Sequence, residues 1–141
     1  MSFYFFGVFA DSRPGLADEL SHSWPDANVV EMSSPFPAIA CRLPERVYEP
    51  ELDDVPEPVA AIVSGISARY PTTKFLLLRA NCWGGDCFFW GQIMQTGRKL
   101  ATIDGDQALR RLIQFFGVDI GESELFAPLS REFPWNGIAA R

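Results

Sequence analysis

Residues 82 to 87 read Cys-Trp-Gly-Gly-Asp-Cys, two thiols around a glycine pair. Thiols at this spacing could work as a redox couple, donate to a metal, or pack as small apolar groups. A structural zinc site needs four ligands, and the chain adds only one further thiol, Cys41, and one histidine, His22. The same shortage weighs against a nucleophile–base system, since His22 is the sole imidazole and sits beside Trp24 and Pro25, a place suited to a surface or capping residue. Trp-Gly-Gly-Asp also lacks the Lys-Ser or Lys-Thr of a phosphate-binding loop. These residues therefore point to no catalytic, cofactor-binding or metal-binding group. The thiols read as reduced packing residues, with a redox pair as the alternative.

The glycine pair carries the stronger signal. "KFLLLRANCW" and "CFFWGQIMQ" flank it, and "KLATID" follows "TGR", which predicts a three-stranded antiparallel meander. A type I′ turn at Gly84-Gly85 pairs Cys82 with Cys87, Ala80 with Phe89, Leu78 with Gly91 and Leu76 with Ile93, an apolar face suited to the core. A type II′ turn at Gly85-Asp86 would slip the pairing by two, leaving every residue on its face. In the first register the two Cβ atoms lie ~5 Å apart. A disulfide needs about 4 Å, and a cytosolic setting would keep the pair reduced. The second face pairs Asn81 with Phe88, Arg79 with Trp90, Leu77 with Gln92 and Phe75 with Met94. If open, it presents Arg79, Trp83 and Trp90 as an interaction surface, arginine and aromatics being the usual anchors of interfaces. Covered by helix or tail residues such as Trp135, it is core.

The rest of the chain must position this hairpin. "FYFFGVFA" (3–10) predicts a buried strand, and Asp11 or Ser12 then caps a helix with Pro14 in its first turn and Leu16, Leu20 and Trp24 along one side. "NVVEM" (28–32) and "AIACRL" (38–43) predict short strands. A helix over 57–70 follows, with Val59, Ile62, Val63 and Ile66 on one stripe and Gly65 marking a close approach. The last helix carries Ala108, Leu109, Leu112, Ile113 and Phe116, with Asp104 or Asp106 as N-cap and Gly117 at C′. The order β-α-β-β-α-β-β-β-α implies one globular domain over 1–141 of the α+β class, a two-layer arrangement with helices on one face of a largely antiparallel sheet. The tail "EFPWNGIAAR" either covers an edge or stays mobile.

Composition narrows the partners. The 141 residues are 48% hydrophobic and include 12 Phe and 4 Trp, enough for a core. The apolar start has no basic region before it and stops at Asp11, so neither a signal peptide nor a membrane span is expected, and the chain reads as cytoplasmic. A net charge of −6, with Lys and Arg never beyond doublets, argues against nucleic acid and suits a basic protein. The oligomeric state is left open. "ERVYEPELDDVPEP" (45–58) holds Glu51, Asp53 and Asp54 among six acids; without metal-loop spacing it reads as a solvated loop or an acidic contact surface.

The run "FLLLRANCWGGDCFFWG" and the later "FFGVDIGESELFAPLSREF" resemble a family of small uncharacterised bacterial proteins with an aromatic-Gly-Gly hairpin. The matching residues are Trp83, Gly84, Gly85, Gly117, Val118, Glu124 and Phe126. Some of that family resemble immunity proteins found near polymorphic toxins, and no catalytic residue comes with the resemblance. The expectation is a non-enzymatic acidic binding protein, an immunity or inhibitor protein for a basic toxin, with Arg79, Trp83, Trp90, Glu51, Asp53 and Asp54 as contact residues. The alternative is a small enzyme or thiol-redox protein using Cys82 and Cys87.

Overall fold

The aromatic run near the N-terminus becomes an interior strand in the computed structural model, which describes residues 2–50, 54–122 and 126–135. Six strands form one sheet: β1 (Ser2–Ala10), β2 (Asn28–Met32), β3 (Ala38–Arg42), β4 (Phe75–Trp83), β5 (Asp86–Gln95) and β6 (Arg98–Asp104). Their spatial order is β2-β3-β1-β4-β5-β6, with every neighbouring pair antiparallel. Three helices complete the domain: α1 (Leu16–Ser23), α2 (Glu57–Arg69) and α3 (Ala108–Ile113). The α+β class and the element order agree with the sequence reading.

Successive residues of β1 face opposite ways, and both sides are apolar, so both faces of the sheet attract cover. Phe6, Val8, Phe75 and Leu77 pack under α1 and α2 through Leu16, Leu20, Val59, Val63 and Ile66. Phe5, Phe9, Leu76, Leu78 and Ile93 pack under Leu109, Leu112 and Ile113 of α3, with Phe126 beside them. The expected layer of helices on one face is thus α1 and α2, while α3 takes the other. A bulge in β6 accounts for that placement. Ile93 pairs with Ala101 but Met94 pairs with Lys99, so Leu100 is left over and Ala101 and Ile103 turn onto the α3 side.

Local starts differ from expectation where backbone geometry outweighs capping chemistry. Gly15, at φ 82°, precedes α1 in place of Asp11 or Ser12. Gln107, at φ 58°, precedes α3, because Asp104 still pairs with Trp90 in β6. The β4–β5 register is the expected one, Cys82 opposite Cys87 and Arg79 opposite Trp90. Gly84 and Gly85 have φ of 63° and 87°, as a type I′ turn requires. The Thr96-Gly97 turn is clamped by α2: Ser67 Oγ accepts from the Gly97 N–H at 2.9 Å and Ser64 Oγ donates to the Gly97 carbonyl at 2.8 Å.

Two glycines make opposite predictions. A Cβ at Gly91 would lie 2.4 Å from the Leu77 carbonyl oxygen and 3.1 Å from Leu112, whereas one at Gly65, expected in close packing, would meet nothing within 4 Å. Gly91→Ala should lower stability by about 2 kcal/mol or more, and Gly65→Ala should raise it by roughly 0.5–1 kcal/mol. Urea denaturation of the two variants checks both signs.

Candidate functional site

Of the two alternatives for the second face, open or covered, the structure shows Arg79 covered and only 2% exposed, which corrects its place among the contact residues. Tyr48, Glu49 and Asp54, from the chain between β3 and α2, cover it. The guanidinium donates to the Asp54 main-chain oxygen and, at 2.9 Å, to that of Glu49. It also lies 3.7 Å from the Asp54 carboxylate. Its carbon sits 4.8 Å from the Tyr48 ring centre, 5.3 Å from Phe6 and 5.6 Å from Trp90. A buried cation needs acceptors, and the loop's carbonyls supply them. Arg46 holds the base of the same loop through Asp26, at 2.7 and 2.6 Å. Arg79, Trp90 and Asp54 therefore come together as an internal clamp, with Asp54 exposed at its rim. Glu51 and Asp53 lie outside the described residues, as does Glu124. Trp135 packs on the other face, 5.8 Å from Phe5.

Towards the turn the same face opens. Gly105, at φ 80°, bends the chain away after Asp104, so the β5–β6 ladder stops at Trp90 and leaves Asp86–Phe89 paired with β4 alone. A cleft of about 840 Å³ fills that space, lined by Asn81, Trp83, Phe88 and Trp90 from the hairpin and by Asp104, Asp106, Gln107 and Glu122 from the chain around α3. Trp83 and Phe88 are each 58% exposed. Asn81 Oδ1, Trp90 Nε1 and Gln107 Oε1 are buried without a hydrogen-bond partner among the described residues. Gln107 also holds a left-handed backbone that disfavours side chains by ~1–2 kcal/mol. No lysine or arginine lines the cleft among the described residues. Arg111 lies behind it, donating to the Asp104 and Asp106 main-chain oxygens at 3.4 Å.

Arg110 grips Asp119 at 2.7 and 2.9 Å, and Asp119 accepts the Gly121 N–H at 2.9 Å, fixing the chain that leads to Glu122. The guanidinium, then that N–H, holds the Asp119 carboxyl down at about 2. Cys82 and Cys87, expected to be reduced, are joined as a disulfide with Cα atoms 4.0 Å apart. Their directly opposed position at the narrow spacing of the ladder brings the thiols within reach. Burial pushes the Cys41 thiol up to about 12, leaving it a packing group. Among the described residues no group of three His, Cys, Asp or Glu could hold a metal ion. Nor is any described helix long and apolar enough to cross a membrane.

Of the expected contact residues that are described, Trp83 and Trp90 reach the cleft and Arg79 and Asp54 do not. Sequence reasoning did not assign Asn81, Gln107 or Glu122 to a site and took Asp104 and Asp106 as caps. One signal was available: counting back from the Thr96-Gly97 turn sets Asp104 opposite Phe89, and the bulge moves it to Trp90, in either case short of the Gly-Gly tip. No protein-family model, curated protein or solved structure matches the chain.

Arg79→Met would take the shared donor from the Glu49 and Asp54 carbonyls and bury no charge in its place, and should cost about 1–3 kcal/mol, with faster chymotrypsin cleavage at Tyr48 in limited digestion. Asp119 makes a pH prediction. Its folded value of about 2 lies below the unfolded ~3.9, so its contribution is present above pH ~4 and fades as pH falls towards 2. Asp119→Asn should therefore melt below wild type at pH 7 and converge with it near pH 2.

Proposed function

We propose that this domain is a non-catalytic binding protein for a basic protein partner, acting in the manner of a bacterial immunity or inhibitor protein in the cytoplasm. The observation that carries this reading is the acid-rimmed cleft, where Trp83 and Phe88 stand exposed beside Asp104, Asp106 and Glu122 with no cation lining it among the described residues. An exposed aromatic pair supplies anchoring area, and lysine or arginine side chains pack favourably on aromatic faces. The net charge of −6 steers a basic partner towards the domain. Glu51, Asp53 and Asp54 contribute to that steering, while Arg79 and Trp90 act from within by fixing the wall behind the cleft.

One observation favours a second reading, a thiol-redox protein: the Cys82–Cys87 bridge lies at the hairpin tip and Cys87 lines the cleft. In a reducing cytoplasm the bridge would open, and the main-chain ladder alone would hold the hairpin.

The test compares four baits in the native lysate: wild type, Trp83→Ser with Phe88→Ser, Glu122→Gln with Asp106→Asn, and Cys82→Ala with Cys87→Ala. The binding reading expects a basic protein that wild type and the cysteine variant retain, that the other two lose, and that moderate salt releases. Retention by all four baits would place the interface elsewhere. Disulfide-reductase activity lost only in the cysteine variant would establish the redox reading.

A further inference from the structure

The cleft has the form of a missing strand. Its walls include Asn81, Phe88 and Trp90 from one face of the sheet and Cys87 and Phe89 from the other, so it wraps around the open edge of β5. In a two-residue hairpin the pair beside the turn, here Trp83 and Asp86, is the hydrogen-bonded one. The next pair, Cys82 and Cys87, then has the narrow non-hydrogen-bonded spacing, and its Cα atoms are 4.0 Å apart. It follows that Cys87 and Phe89 turn their N–H and C=O groups away from β4, towards the cleft. β6 offers them no partner, because its ladder ends at Asp104.

Resting on the binding reading above, we propose that the partner inserts an extended segment here as an added strand, continuing the line of β6 and alternating apolar with cationic side chains. The alternation follows from the two faces. Residues opposite Cys87 and Phe89 would join the apolar side, where Phe89 packs into the core under α3. Residues opposite Asp86 and Phe88 would join the side that carries Trp83, Phe88, Trp90 and Asp104, where a cation meets aromatic rings and carboxylates. The open stretch is four residues, Asp86 to Phe89, or about 13 Å of strand. Other edges are poorer templates: β6 is blunted by Arg98, Lys99 and its bulge at Leu100, and β2 is five residues long with Glu31 exposed. The segment would also bring donors and acceptors to the level of Asn81, Trp90 and Gln107, whose buried polar atoms lack partners.

The probe is the capped tetrapeptide acetyl-Val-Arg-Val-Arg-amide, which runs from Phe89 to Asp86 in the proposed register. Three controls accompany it: the same peptide with both valine nitrogens methylated, the Val-Glu-Val-Glu analogue, and argininamide. We expect saturable binding in an amide NMR titration at about millimolar peptide or below. The Cys87 and Phe89 amides should shift and exchange more slowly with solvent. N-methylation should weaken binding at least about tenfold by removing the two strand hydrogen bonds that the peptide donates, and the glutamate analogue should not bind. Trp83→Ala with Phe88→Ala, folded by circular dichroism, should weaken the arginine peptide. Equal binding of the methylated peptide or of argininamide would overturn strand addition while leaving a cation-accepting cleft. Binding of the glutamate analogue would overturn both. No saturable binding of the tetrapeptide at several millimolar, with the basic partner still captured through Trp83 and Phe88, would overturn the strand alone.

Discussion

Two consecutive left-handed residues, Gly84 and Gly85, set the register of the β4–β5 ladder, and the rest of the domain is built around that register. A hairpin closed by a type I′ turn has no freedom to slip by one residue without reversing every side chain. The pairing places Leu76, Leu78 and Ala80 opposite Ile93, Gly91 and Phe89 on the α3 side, and Gly91 gives Leu112 room to approach. It also places Arg79 opposite Trp90 on the side of α1 and α2. Sheet, core and clamp are thus consequences of one turn, reinforced by the Cys82–Cys87 bridge two residues from its centre.

Arg79 is the least expected part of that arrangement. A guanidinium on a strand between Leu77 and Asn81 has either water or protein as its environment, and the choice decides what the face can do. Here the chain between β3 and α2 turns its carbonyls inwards at Glu49 and Asp54, and three aromatic rings close around the cation. Charge-assisted bonds to main-chain oxygens offset part of the desolvation cost. They also tie Glu49 and Asp54 to the sheet, alongside the apolar contacts of Tyr48, Val47 and Val55. The acidic segment is therefore held by its backbone, which leaves side chains such as Asp54 free to face solvent.

Much of the fold was legible in the sequence, because it rests on local rules. The strands at 28–32 and 38–42, the meander and its faces, and the helix from Glu57 follow from alternation, turn residues and apolar spacing. What escaped depends on residues far apart in the chain. Nothing local to "LLLRAN" says that carbonyls from Glu49 and Asp54 will reach Arg79. Nothing local to "RKLATID" announces that a bulge at Leu100 will turn Ala101 and Ile103 towards α3. The site was misplaced for the same reason. Trp83 and Trp90 were singled out, but the acids beside them come from the chain around α3, and the open part of the face begins only where β6 ends at Gly105.

The departures from ordinary packing collect around this opening. Two large aromatic side chains stand in solvent, three buried polar atoms lack partners, and a glutamine adopts a glycine-like backbone, all on the walls of one cleft. Elsewhere among the described residues most such demands are met, with Thr73 Oγ1 and the left-handed Thr96 as exceptions; Ser64 and Ser67 serve the Thr96-Gly97 turn, Arg110 finds Asp119, and Arg46 finds Asp26. The concentration of these features on the walls of one cleft fits selection for something other than stability there. The proposed occupant, bringing main-chain donors and acceptors along one side and positive charge along the other, would meet the open edge of β5, the exposed Trp83 and Phe88, and the surrounding carboxylates together.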